Sequence, residues 1–151
     1  MHYGYIPDTI KPEDYIFGDN KLNDSPINPS GQWDAWLPID ELQNRGYETY
    51  SCTSQGTLNA VETLQIQAYS DRRNWSDRYL ATVTGTKEQH GNSPQTIAES
   101  LRNNGCVIET DWPFGGVDYD AFYTQPPQSI RNKAKSEFNF AFGHSWLPDT
   151  K

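Results

Sequence analysis

Cys52 opens the run "CTSQGTLNAVETLQIQAY", so a thiol stands directly ahead of apolar residues at helical spacing. A cysteine at a helix N-terminus lies beside outward-pointing backbone N–H groups and the positive end of the helix dipole, and both favour the reactive thiolate. The same N–H groups can hold the oxyanion of acyl transfer. The competing reading is a small hydrophobe filling the core, since free cysteine is among the most buried residue types. The local sequence alone favours that packed reading.

A cysteine nucleophile also needs a base, ordinarily a histidine oriented by Asn or Asp. The candidates are His2 near the start, His90 in the turn "EQHGNS" and His144 in "FGHSW". None has a partner at a spacing that would orient it, so each reads as a loop histidine. Cys52 and Cys106 are too far apart to form a ligand pair, and three scattered histidines add none, so no metal site is expected. Asp118 and Asp120 read as a solvated acidic pair. There is no glycine-rich phosphate loop and no GxSxG elbow, and no cofactor is expected.

Three helices must position these groups. The first spans about 52–69, with Leu58, Val61, Leu64 or Gln65, and Ala68 on one face, and Ser51 or Thr53 as cap. The second spans about 93–104, with Ser93 as N-cap, Pro94 in the first turn, Ile97 and Leu101 inward, and Gly105 as the stop. The third, about 127–138, follows Pro127 and spaces Ile130, Ala134 and Phe138 by four. Strand signal is sparse, and "YLATVTGT" is its best instance. Residues 1–46 carry Pro7, Pro12, Pro26, Pro29 and Pro38 and hold no sustained period, which predicts an extended arm of coil and short turns. Tyr15, Ile16, Phe17, Trp33, Trp36 and Leu37 argue that this arm is packed on something. Residues 47–151 form the domain proper.

The chain has 151 residues, the size of one domain, and is 34% hydrophobic, with 5 Trp, 9 Tyr and 6 Phe to enlarge a lean core. Its net charge is −8, without a Lys/Arg cluster to track phosphates, which argues against nucleic-acid binding. No apolar run is long enough to span a bilayer, and the N-terminus lacks the basic and apolar regions of a signal peptide. A chain made and used on the cytoplasmic side, or inside an assembly built there, is therefore expected, with free thiols rather than a disulfide.

The order of motifs carries a resemblance. "SCTSQGTLNAVETL" resembles the nucleophile helix of papain-like cysteine peptidases, and "TGTKEQHGNSPQTIAESLRNNGCVIETDWPF" resembles the segment that follows it in that family. "GQWDAWLPIDELQ" and "GNSPQTIAESLRNNGCVIETDWPF" are similar to the papain-like domains of bacteriophage proteins. The resemblance implies an α+β fold, mainly helical with much coil and few strands. It corresponds to the left-hand, nucleophile-bearing half of a papain-like domain. Cys52 takes the nucleophile position, and Gln43 is the candidate oxyanion glutamine, further upstream than is usual; Gln55 is a poor substitute. No segment matches the family's base histidine and its following strand, and His144 falls in what resembles a non-catalytic turn. A half-fold implies an apolar seam covered by a protein partner or a neighbouring copy. The leading expectation is a structural or interaction component of a virion or other assembly. The alternative is the nucleophile-bearing portion of a cysteine peptidase completed elsewhere.

Overall fold

The computed structural model describes residues 4–14, 16, 28–39, 41–43 and 46–146. Its helices are α1 (Cys52–Tyr69), α2 (Asp77–Val83), α3 (Pro94–Asn104), the single turn α4 (Tyr119–Phe122) and α5 (Gln128–Glu137), with a 3-10 turn at Asp34–Trp36. Pairing among the described residues is confined to isolated bridges, Tyr5 with Asn92 and Trp75 with Ile108 among them. The structure is mainly helical with few strands.

α1 is the centre of the packing, in contact with α2 and α3, and α3 in turn touches α2 and α5. Leu58 and Val61 are buried on its inner side, against Ile97 and Leu101 of α3 and Leu80 of α2, and Ile66 is buried further along the helix. Gln65 shares this face without breaking it: its carbonyl accepts from Trp75 Nε1 at 2.8 Å and its amide donates to Asp71 at 2.9 Å. A buried polar group so satisfied avoids most of its desolvation cost. Ala68, assigned to this face from spacing, is exposed. Ser70 ends the helix in the left-handed region (φ 56°), its N–H closing on Ile66 O at 2.9 Å.

The start of α1 departs from expectation. Ser51 is the N-cap residue, yet its side chain makes no capping bond. The Thr53 hydroxyl does not cap either; it donates to Gly4 O at 3.1 Å and Asn92 O at 2.9 Å, tying the arm to the loop before α3. Gly91 makes that junction possible, because a Cβ there would sit 1.7 Å from Gly4 O.

The segment read as the best strand candidate is helical. "YLATVTGT" supplies α2, capped by Ser76, whose hydroxyl accepts from Tyr79 N–H at 3.0 Å. Asp77 through Thr82 are all buried. A helix covered on every side shows no 3.6-residue polarity period, so a short apolar run of this kind cannot be told from a strand by pattern. Thr82 and Thr84 return their hydroxyls to the carbonyls of Arg78 and Leu80, at 2.9 and 2.7 Å, which absorbs their polarity inside the helix.

α3 begins as expected, with the Ser93 hydroxyl accepting from Thr96 N–H at 3.2 Å and Pro94 in the first turn. Gly105 (φ 70°) ends it where a Cβ would lie 2.2 Å from Ala134 O of α5. The "DWPF" stretch is held by the buried Arg78, which donates to Pro113 O at 3.2 Å, Phe122 O at 3.1 Å and Ala121 O, and stacks 4.4 Å from the Trp112 ring centroid. This one cation organises the chain from Trp112 to Phe122 beneath a second cluster of Ala81, Phe114 and Phe122.

Candidate functional site

Tyr50 immediately precedes the N-cap of α1 and adopts φ 56°, a left-handed conformation that costs a non-glycine residue about 1–2 kcal/mol. Its N–H donates to Glu48 Oε1 at 2.8 Å, which helps fix the turn. The chain thereby swings sharply into α1 and delivers Cys52 at the helix end. The first intrahelical bond runs from Gln55 N–H to Ser51 O at 3.1 Å, so the amides ahead of it lie at the helix mouth, outside the ladder.

Cys52 is partly exposed and opens into a groove of about 490 Å³. Gly56, Ala60 and Leu64 repeat every fourth residue after Cys52 and line the groove floor. The small residues at 56 and 60 leave the space that larger side chains would fill. Ala98 and Gln95 of α3 form one wall, and Phe142, His144 and Trp146 form another. Tyr5 and Asp8 of the arm border it too, placed by the Gly4–Asn92 junction. The spacing C-x3-G-x3-A-x3-L is the signal for this surface; the sequence pattern placed Leu64 and Ala68 on the core face, whereas Leu64 lines the groove and Ala68 is exposed.

The other candidates are placed as follows. Gln43 donates its side-chain amide to Glu48 Oε1 at 2.5 Å, the oxygen that also holds Tyr50 N–H. It therefore reaches the turn leading to Cys52, with its donor turned to a carboxylate. Gln55 is buried, its amide 3.4 Å from the Ser51 hydroxyl. His144 shares the groove with Cys52, but its Nε2 lies 3.7 Å from Glu99, which Arg102 also contacts at 3.0 Å. His90 is exposed in a tight turn closed on Lys87, and His2 lies outside the described residues. Asp118 is the N-cap of α4, accepting from Ala121 N–H at 2.8 Å, a structural use the sequence reading did not assign. Among the described residues no three His, Cys, Asp or Glu side chains are grouped to hold a metal ion, and no helix is long and apolar enough to cross a membrane.

Cys106 is the opposite of Cys52. It is fully buried, and burial, with Asp77 nearby, pushes its thiol well above the usual range. It donates weakly to Ser76 O at 3.6 Å and has the features of an inert core thiol.

The fold that carries this site has a counterpart among solved structures. The crystal structure of xylellain, a cysteine protease from Xylella fastidiosa, superposes with a TM-score of 0.59 at 19% sequence identity over 89% of this chain. This chain has a partial papain-like fold. It spans 55% of the length of xylellain. No family model matches the sequence, and no curated protein does. The papain-like resemblance read from the motifs thus holds at the level of fold; its bacteriophage character has no counterpart in these comparisons.

Proposed function

We propose that this chain is the nucleophile-bearing portion of a papain-like cysteine peptidase, an amide hydrolase. The observation that carries the reading is Cys52 at the mouth of α1, partly exposed, beside an apolar groove that runs along the helix. In this reading the groove is the seam on which a second, base-bearing portion seats. A histidine there takes the Cys52 proton as the sulfur adds to the carbonyl carbon, and then gives it to the departing amine. Water, deprotonated by the same imidazole, hydrolyses the thioester and restores the thiol. Backbone amides at the helix mouth stabilise the oxyanion, with Gln43 joining them once its amide turns from Glu48.

A second reading, a papain-like scaffold serving a virion or other assembly, is favoured by two contacts. His144 is turned to Glu99 and Gln43 to Glu48, so both polar groups near the site are engaged elsewhere. A fold does not dictate activity, and the same groove would then seat a structural partner.

The test is the intact mass of the native protein, followed by a peptide-amide hydrolysis assay on that species and its Cys52→Ala variant. The peptidase reading expects hydrolysis that the substitution abolishes. A native species that cleaves no amide, or a variant that cleaves as fast, sinks it and leaves the scaffold.

A further inference from the structure

Between α2, the end of α3 and α5 lies a second cavity of about 230 Å³, which shares no residue with the Cys52 groove. It is lined by Tyr79 and Val83 of α2, Asn104 of α3, and Gln128, Arg131 and Lys135 of α5. Residues at these three positions of α5 fall on one helix face, so an amide and two cations border the same space. Arg131 and Lys135 are four residues apart, a spacing at which like charges repel.

The polar groups at this cavity keep donors to spare. Arg131 donates from Nε to Pro126 O at 3.0 Å and from Nη2 to Gln125 Oε1 at 2.8 Å. Those bonds fix the guanidinium plane and leave Nη1 without a partner among the described residues. Lys135 is exposed, and its ammonium has no ion pair or hydrogen bond among them either. Gln128 donates to Asn132 Oδ1 at 2.8 Å and Asn104 to Ser100 Oγ at 3.0 Å, so each amide retains a second hydrogen. Tyr79 is 1% exposed with its ring in the core, yet its hydroxyl makes no hydrogen bond among the described residues. Burial raises that hydroxyl to about 12, so it stays a donor at neutral pH. A buried hydroxyl without an acceptor carries a desolvation cost that a ligand oxygen in the cavity would offset.

Unpaired cations stand out in a chain with 20 acidic and 12 basic residues. Lys133 of the same helix pairs with Asp111 at 2.5 Å, Arg73 with Asp71 at 2.6 Å and Arg102 with Glu99 at 3.0 Å. Among the described residues no carboxylate lines this cavity.

We propose that the cavity binds a phosphoryl group, as inorganic phosphate or as the end of a small phosphate monoester, held by Arg131, Lys135 and the Tyr79 hydroxyl. The volume is below the roughly 300–1,000 Å³ of pockets for drug-sized ligands and suits a small anion. Its donors come from α2, α3 and α5, hence from several directions. A tetrahedral anion accepts from several directions at once, whereas a carboxylate presents both oxygens in one plane. An anion between Arg131 and Lys135 also removes their mutual repulsion. The site is separate from the proposed peptidase activity and does not rest on it.

The test is a titration of isotope-labelled protein with sodium phosphate at neutral pH and constant ionic strength, followed by NMR. Amides of α5 and the Asn104 and Gln128 side chains should shift and saturate, with a midpoint below about 10 mM. Lys135→Gln alters an exposed side chain and should weaken binding about tenfold or more, because a charged donor is lost. Tyr79→Phe removes only the hydroxyl and should weaken it by a smaller factor. Acetate should bind about tenfold more weakly than phosphate or worse. Glycerol phosphate binding as tightly as phosphate supports the site as the seat of an ester, and weaker binding supports it as a site for the free ion. Shifts that never saturate overturn the proposal. So do shifts that persist unchanged in both variants, or that acetate reproduces at the same concentration.

Discussion

Cys52 and Cys106 are the same side chain in two regions that differ in almost every physical respect. Cys52 stands at a helix mouth beside a groove, reached by a turn with a left-handed Tyr50. Cys106 follows the Gly105 stop of α3, sealed among Trp75, Tyr79, Leu101 and Val107, where desolvation holds it neutral. The comparison shows that the reactive position here comes from where a helix begins and which of its faces is left uncovered. Composition around the cysteine does not decide it.

The largest effect that can break this comparison is alkylation. Iodoacetamide should modify Cys52 in the folded protein while Cys106 waits for global unfolding, slower by on the order of a thousandfold or more. Peptide mass spectrometry resolves the two, and equal rates would erase the distinction. The next effect separates the two faces of α1. Leu58→Ala, in the sealed core at 1% exposure, should cost about 2–5 kcal/mol in denaturant unfolding. Leu64→Ala, on the groove, should cost roughly 1 kcal/mol or less, because water already reaches part of its surface. Similar losses at both sites would mean that the groove is as closed as the core.

A third effect concerns the surroundings of Cys106. Burial lifts Glu62 from 4.5 to about 7, so the folded protein gains protons relative to the unfolded chain and loses stability as pH rises across that interval. Glu62→Gln keeps an acceptor for Trp75 N–H and should flatten that slope. The gain at neutral pH should be up to about 3 kcal/mol, read from thermal or urea unfolding at several pH values. An unchanged slope would show that Glu62 is better solvated than its position implies.

Three helices were legible because each carried a punctuated pattern: Cys52–Tyr69 its buried stripe, Pro94–Asn104 its Ser-Pro start and Gly stop, Gln128–Glu137 its spacing of four. α2 was missed because burial on all sides removes the polarity contrast on which pattern reading depends. In the site, Cys52 could be picked out by its place before a helix, and the groove was present as Gly56, Ala60 and Leu64 but overshadowed by the stronger inner face. The electrostatic neighbourhood of Asp77 left no local trace, since Glu41, Glu62 and Glu109 lie far from it in the chain.

By itself the sequence determined the local matters: where α1, α3 and α5 start and stop, and that a thiol heads the longest of them. These follow from side chains within a few residues of one another, through capping, backbone preference and period. Tertiary structure alone decided which cysteine is open, that Arg78 organises the loop after Trp112, and that Asp77 is buried near other acids. Burial and dielectric depend on segments distant in the chain, and those quantities set whether a group is reactive or held neutral.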